Sequence, residues 1–349
     1  MGEPLKVVEG PYLRDILDQP RALAETLEGL VASPALEEVA RRVARGGFGR
    51  MVLTGMGSSH HGLYPLLLRL VGAGLPATLV EAGELLHHQA RLLEEDTLLV
   101  LASQSGRSAE IVRLLELTRR RLVTLGLTNT PDSPLAREAT ACVLTHAGEE
   151  ATVACKTYLA AQAALAWLGV VLTGGDRHAA RGELAATLPG VSAYLASWRA
   201  HVGDLAQRLA GIRAIFYAGR GSSLAAVGCA GLITKEATRL PSEGMSSAAF
   251  RHGPLEMLDP DVALVVFAGD ARTRSLNEAL VRDVRSTGAR AWLASEEAKL
   301  PAFRLPGASD LARPVVEVLP VEMITLALAA LRGREAGRFE IAGKVTLAE

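Results

Sequence analysis

The chain has 349 residues, with 37 Lys and Arg against 38 Asp and Glu for a formal net charge of -1, and 49% of it is hydrophobic. That length predicts about two domains of roughly 150 residues, each able to bury a core. The charge balance, with no Lys/Arg run interleaved with aromatics, argues against a nucleic-acid partner. The longest apolar candidate for a membrane span, 163–173, is too short and is fenced by Gln162 and Gly174-Gly175-Asp176, so a soluble chain with no membrane partner is expected. The first residues hold no apolar signal core, and Lys6 stands where a myristoylation signal wants Ser or Thr. Cys142, Cys155 and Cys229 are widely spaced in apolar surroundings, as small core residues of a cytoplasmic protein would be.

In chain order, residues 12–20 lead into helical patterns at about 20–31 and 35–45. Residues 50–54 read as a short apolar strand, and Gly55-Met56-Gly57-Ser58-Ser59 turns it into a helix reaching about residue 71. A Gly-x-Gly between strand and helix has the outline of a dinucleotide turn. Its third glycine position, however, is His60, whose side chain blocks the close approach that motif needs, so no nucleotide cofactor is expected. Strand-like runs recur at 77–80, 97–102, 121–126 and 141–145, alternating with helical patterns, as in a doubly wound parallel sheet. Directly after 97–102 comes Ser103-Gln104-Ser105-Gly106-Arg107-Ser108-Ala109-Glu110, followed by a helical pattern from Ile111. Three hydroxyls, an amide and the N–H groups of a first helical turn converge there, which is the chemistry of a phosphate cradle. The alternative is that these are ordinary cap and turn residues. His60-His61 and His87-His88 are adjacent pairs and lack the i, i+4 spacing of a chelating helix face, so no metal site is expected. A long helix is predicted over 150–171.

A composition shift at Gly174-Gly175-Asp176 and helical patterns at 181–188 and 191–209 precede a second unit that repeats the first. Residues 214–217 form its strand, Gly219-Arg220-Gly221-Ser222-Ser223 its turn, and a helix runs to about residue 238. The run 262–267 is the counterpart of 97–102, but Asp270 follows where the first unit has hydroxyls. A carboxylate repels phosphate, so one phosphate site per chain is expected. A last strand near 314–318, a helix over 322–331 and a tail at 339–349 complete the chain. The expected organisation is a helical N-terminal segment (1–46), a first α/β unit (47–175), connecting helices (176–210), a second α/β unit (211–336) and a C-terminal tail contributing to the site (337–349).

These motifs, in this order, resemble the sugar isomerase (SIS) family. The chain is similar over nearly its whole length to the isomerase half of glutamine:fructose-6-phosphate amidotransferase and to stand-alone phosphosugar deaminases and deglycases. The matching residues are Asp15-Ile16-x-Asp18-Gln19-Pro20, Gly57-Ser58-Ser59, Ser103-Gln104-Ser105-Gly106 with Ser108, Ala147-Gly148-x-Glu150 with Val153-Ala154, Gly219-Arg220-Gly221, Lys235-Glu236 and Arg251-His252-Gly253-Pro254. The resemblance implies two tandem SIS-type doubly wound parallel-sheet units with flanking helices. It also implies phosphate binding by Ser59, Ser103, Gln104, Ser105 and Ser108, and further substrate contacts from Gly57, Ser58, Glu150, Val153 and Lys235.

The sequence departs from the family pattern at Cys155-Lys156-Thr157, where Ser-Thr-Lys is usual, and at Ile233, where the amidotransferase has lysine. The stretch before Asp15 has no room for a glutaminase domain, so glutamine is not the expected nitrogen donor. By resemblance, Glu236, His252 and Lys344 are the catalytic candidates. A helix carboxylate such as Glu236 can move a proton between C1 and C2 of a sugar, His252 can open the ring, and Lys344 can form an imine. The competing readings are an exposed helix pair for Lys235-Glu236, a turn residue for His252, a solvated tail charge for Lys344 and a simple helix cap for Glu150. The expected function is a cofactor-free phosphosugar isomerase or deaminase acting on a 6-phosphorylated amino sugar or fructosamine-type adduct. A non-catalytic phosphosugar sensor is the alternative. The family also implies a homodimer in which the histidine motif reaches into the partner's pocket, and the small-residue segment 244–250 just before His252, with few anchors of its own, is expected to project from the core until a partner orders it.

Overall fold

A computed structural model describes residues 5–119, 121–341 and 343–346. The chain forms two compact units, both discontinuous in sequence. One comprises Arg21–Glu149, Lys156–Ala186 and Ala342–Glu349; the other comprises Met1–Pro20, Glu150–Cys155 and Thr187–Ile341.

The first of these is built on a five-stranded parallel sheet of β1 (Arg50–Gly55), β2 (Ala77–Glu81), β3 (Thr97–Ala102), β4 (Val123–Thr128) and β5 (Ala141–Leu144), ordered β2-β1-β3-β4-β5. All six residues of β3 are buried, as a central strand covered by helices on both faces requires. One face packs Val52, Leu99 and Leu101 against Ile111, Leu114 and Leu115 of the following helix, Ala109–Thr118. The register sets Gly55 opposite Ala102, so the loops leaving β1 and β3 start side by side. Since β2 and β4 lie on opposite sides of this pair, the two chains diverge and open a crevice at the carboxyl end of the sheet.

The second sheet contains β6 (Ala214–Gly219), β7 (Ser242–Ser246), β8 (Val262–Phe267) and β9 (Arg290–Ala294), in the order β7-β6-β8-β9, all parallel. Its order repeats that of β1 to β4. The helix Leu224–Thr238 lies on β7 with glycine on both sides: a Cβ on Gly231 would come within 2.6 Å of the Gly244 nitrogen, and one on Gly244 within 2.0 Å of the Val227 carbonyl oxygen. Backbone-to-backbone packing this tight admits only hydrogen at both positions.

Four expectations are corrected. Residues 314–318 form no strand: Arg313–Val316 is a helix that leads into the helix Leu319–Leu331. Among the described residues this helical stretch, Arg313–Leu331, and not 163–173, is the one long and apolar enough to cross a membrane; 94% of its most apolar window is buried inside the fold, as in a core helix. The segment 244–250 does not project from the core, since Gly244 to Ser246 pair with β6 in β7 and Phe250 is wholly buried in the helix Ser247–Arg251. Finally, the helix predicted over 150–171 begins only at Lys156.

Candidate functional site

Ser103 and Ser105 follow β3 and are buried, while Gln104 and Ser108 are half-buried. Ser108 is the N-cap residue of Ala109–Thr118, and its hydroxyl takes none of the helix N–H groups. The loop is held from within. Ser103 Oγ accepts from the Gly106 N–H at 3.1 Å, and Ser105 Oγ accepts from the Arg107 N–H at 3.2 Å. The Gln104 carbonyl accepts from Asn129 N at 3.0 Å and Thr128 Oγ1 at 3.1 Å. Neither serine hydroxyl proton meets an acceptor among the described residues, so both hydroxyls keep a donor for a ligand.

Gly106, at φ 61°, makes the turn possible. A Cβ there would approach Ser133 Oγ to 2.3 Å, and Ser133 is itself the cap of Pro134–Glu138 through its acceptance of Ala136 N–H. The opposite wall of the crevice is Gly57, Ser58 and Ser59 at the start of the short helix Gly57–Gly62, all at least partly exposed. The C-terminal stretch lies in the same unit: the Thr346 carbonyl accepts the Ala109 N–H at 3.2 Å, which brings half-buried Lys344 to the helix start beside the phosphate loop.

Glu236 and His252 fall in the other compact unit. Glu236 is half-buried near the end of Leu224–Thr238, whereas Lys235 is exposed and pairs with Glu243 at 3.4 Å. His252 is exposed at the end of Ser247–Arg251, followed by Gly253 at φ 124°. Glu150 and Val153 also belong to this unit. Glu150 is 8% exposed and accepts from Cys155 N at 3.0 Å and Cys155 Sγ at 3.4 Å, and Val153 is wholly buried.

Several groups that shape these regions were not singled out in the sequence. Asn129, at the end of β4, fixes the segment matching the family's Ala-Gly: its Oδ1 accepts from Ala147 N at 2.8 Å and its Nδ2 donates to the Gly148 carbonyl at 2.8 Å. An amide directly after a buried strand was its only signal. Glu322 lies fully buried in Leu319–Leu331 and accepts from Gln19 Nε2 at 2.5 Å. Burial, with some repulsion from Glu150, pushes its carboxyl well above the usual range. Glu317 is also fully buried and accepts the Ser223 hydroxyl at 2.7 Å; burial raises it to about 7 against the opposing pull of Ser223 and Arg313.

Residues 49–172 match the family model of the SIS domain. The chain is 27% identical over 341 residues to the isomerizing glutamine–fructose-6-phosphate aminotransferase of Pyrococcus horikoshii, a match covering 93% of this chain and 56% of that protein. It thus spans little more than half the length of such relatives. Among solved structures, the C-terminal domain of glucosamine-fructose-6-phosphate aminotransferase from Francisella tularensis superposes with a TM-score of 0.80 at 19% identity, covering 95% of this chain and 98% of that one. Tagatose-6-phosphate ketose/aldose isomerase from Escherichia coli gives 0.77 at 20% identity, covering 95% and 96%. These two likenesses concern the fold.

Proposed function

We propose that this chain, which carries a SIS domain over residues 49–172 and is homologous to the isomerase portion of glutamine–fructose-6-phosphate aminotransferase, is a phosphosugar isomerase or deaminase acting on a 6-phosphorylated amino sugar or fructosamine-type adduct. The observation that carries this reading is the pair of buried hydroxyls, Ser103 and Ser105, which accept from their own loop and still have protons to donate. Ser59, Gln104 and Ser108 complete the phosphate contacts, with Gly57, Ser58, Glu150, Val153 and Lys235 around the sugar.

In this reading His252 exchanges a proton with the ring oxygen to open the sugar, and Glu236 carries the proton between C1 and C2. Lys344 condenses with the open carbonyl as an imine, losing water, and is released by hydrolysis. The strand order shared by the two sheets supports reading the second as another SIS-type unit. The exposure of His252 fits a homodimer in which it serves a second copy.

The test is a panel of 6-phosphosugars, with and without a 2-amino group or a 1-amine adduct, assayed for ammonia release and for aldose–ketose interconversion. Turnover of at least one, lost in Glu236→Gln with binding retained, is expected. Binding without turnover across the panel would instead identify a sensor. Activity restored on mixing inactive Ser105→Ala and His252→Ala chains supports the shared dimer, and its absence in demonstrated heterodimers rules that arrangement out.

A further inference from the structure

Apart from the phosphate loop, the unit that carries it has a cleft of about 180 Å³ lined by Leu30, Val31, Ala32, Trp167, Arg177, His178 and Arg181. Its floor is apolar: Trp167 and Leu30 are 2% and 3% exposed, while Val31, at 72% exposed, stands at the lip. The rim is cationic and comes from the first turns of the helix Arg177–Ala185. Two nearby carboxylates are committed elsewhere. Asp176 caps that helix by accepting from the His178 and Ala179 N–H groups, and Glu37 pairs with Arg177 at 3.0 Å. Arg181 has no acidic partner among the described residues. An indole floor beneath an uncompensated guanidinium suits a ligand with a flat apolar body and an anionic end.

We propose that this cleft is a second ligand site, separate from the phosphate loop, for a small monocyclic or branched-chain organic carboxylate. The volume limits the ligand to a single ring or a short branched chain, since drug-sized ligands occupy roughly 300 Å³ or more. The carboxylate meets Arg181 and the hydrocarbon lies against Val31 and Ala32, above the buried Trp167. None of the lining residues belongs to the phosphate loop or the catalytic candidates, so occupancy of the two sites can be read separately.

The test uses the full chain with benzoate and 3-phenylpropionate as probes, their neutral amides as controls, and calorimetry with tryptophan fluorescence as readouts. The carboxylates are expected to bind at least about tenfold tighter than the amides, and Arg181→Ala to remove most of that difference, as a partly exposed charge-assisted pair predicts. Ala32→Phe, which fills the cleft from its half-exposed edge, is expected to abolish binding without disturbing the buried indole. Ser105→Ala is expected to bind the probes as wild type does. Equal affinity for acid and amide, binding unchanged in both cleft variants, or no binding up to about 10 mM, where even an inefficient ligand of this size registers, would each overturn the proposal.

Discussion

The carboxyl ends of the two sheets share a strand order and differ in what their hydroxyls do. After β3, Ser103 and Ser105 accept hydrogen bonds from their own loop and keep their protons for a ligand. After β8, the counterpart of β3, Asp270 stands in the loop and accepts from Thr273 N and Oγ1 at 3.1 and 3.2 Å, and after β6, the counterpart of β1, Ser223 spends its donor on Glu317. The chain thus places its own carboxyl groups, Glu317 and Asp270, at the turns of the second sheet. An anion site requires donors that folding leaves unspent, and the same strand–turn–helix frame gives opposite outcomes according to whether a carboxylate from elsewhere in the chain reaches it.

The largest effect on this contrast is expected from Gly106→Ala. The alanine must adopt a left-handed conformation costing about 1–2 kcal/mol and displace the Ser133 cap, so phosphosugar affinity should fall by about 100-fold or more. Calorimetry on the folded variant measures this, and near-normal affinity would remove the loop from the site. Next comes Glu317→Gln. The Glu317 carboxyl titrates at about 7 in the folded chain and near its ordinary value when unfolded, so the native state binds the extra proton between those limits. Its contribution is therefore complete below the unfolded value, declines as pH rises, and is lost above about 7, a change of about 3 kcal/mol at most. Glutamine retains an acceptor for Ser223 and should flatten that share of the pH dependence, measurable by urea unfolding from pH 5 to 8. The slope that remains would come from groups such as Glu322, which is shifted in the same direction. An unchanged profile would mean that Glu317 is ionised throughout.

Ser105→Ala should weaken phosphosugar binding by about 1.5–3 kcal/mol, the value of a charge-assisted hydrogen bond, with little loss of stability. The smallest expected effect is the sharpest control. Ser223→Ala should leave phosphosugar affinity unchanged while lowering stability, because its hydroxyl is spent on Glu317. A binding loss equal to that of Ser105→Ala would show that both crevices receive phosphate.

The local frame was readable because it rests on short-range pattern. Residues 97–102 are apolar after Thr97 and are followed by Ser103, and they form β3 with the bounds expected of them. What escaped depends on contacts between distant parts of the chain. The stretch 314–318 has the β-branched valines of a strand, but Pro314 and Pro320 sit comfortably in first helical turns, and burial inside the second unit makes helix the better solution. The small-residue segment 244–250 suggested a projection with few anchors, whereas the absence of a side chain at Gly244 is what lets the helix Leu224–Thr238 lie against β7. Of the candidate site, the phosphate loop could be read locally. Asn129, Glu317 and Glu322 could not, because their partners lie 18, 94 and 303 positions away.

The bond from the Ala109 N–H to the Thr346 carbonyl ties a chain terminus to a helix start through one exchangeable proton. Deuterium can replace that proton only when the terminus lets go. The exchange rate of this amide therefore measures how often the end of the chain opens, in solution and without any turnover. Comparing the rate with and without a phosphosugar would show whether the ligand holds the terminus down, even in a variant that has lost its chemistry.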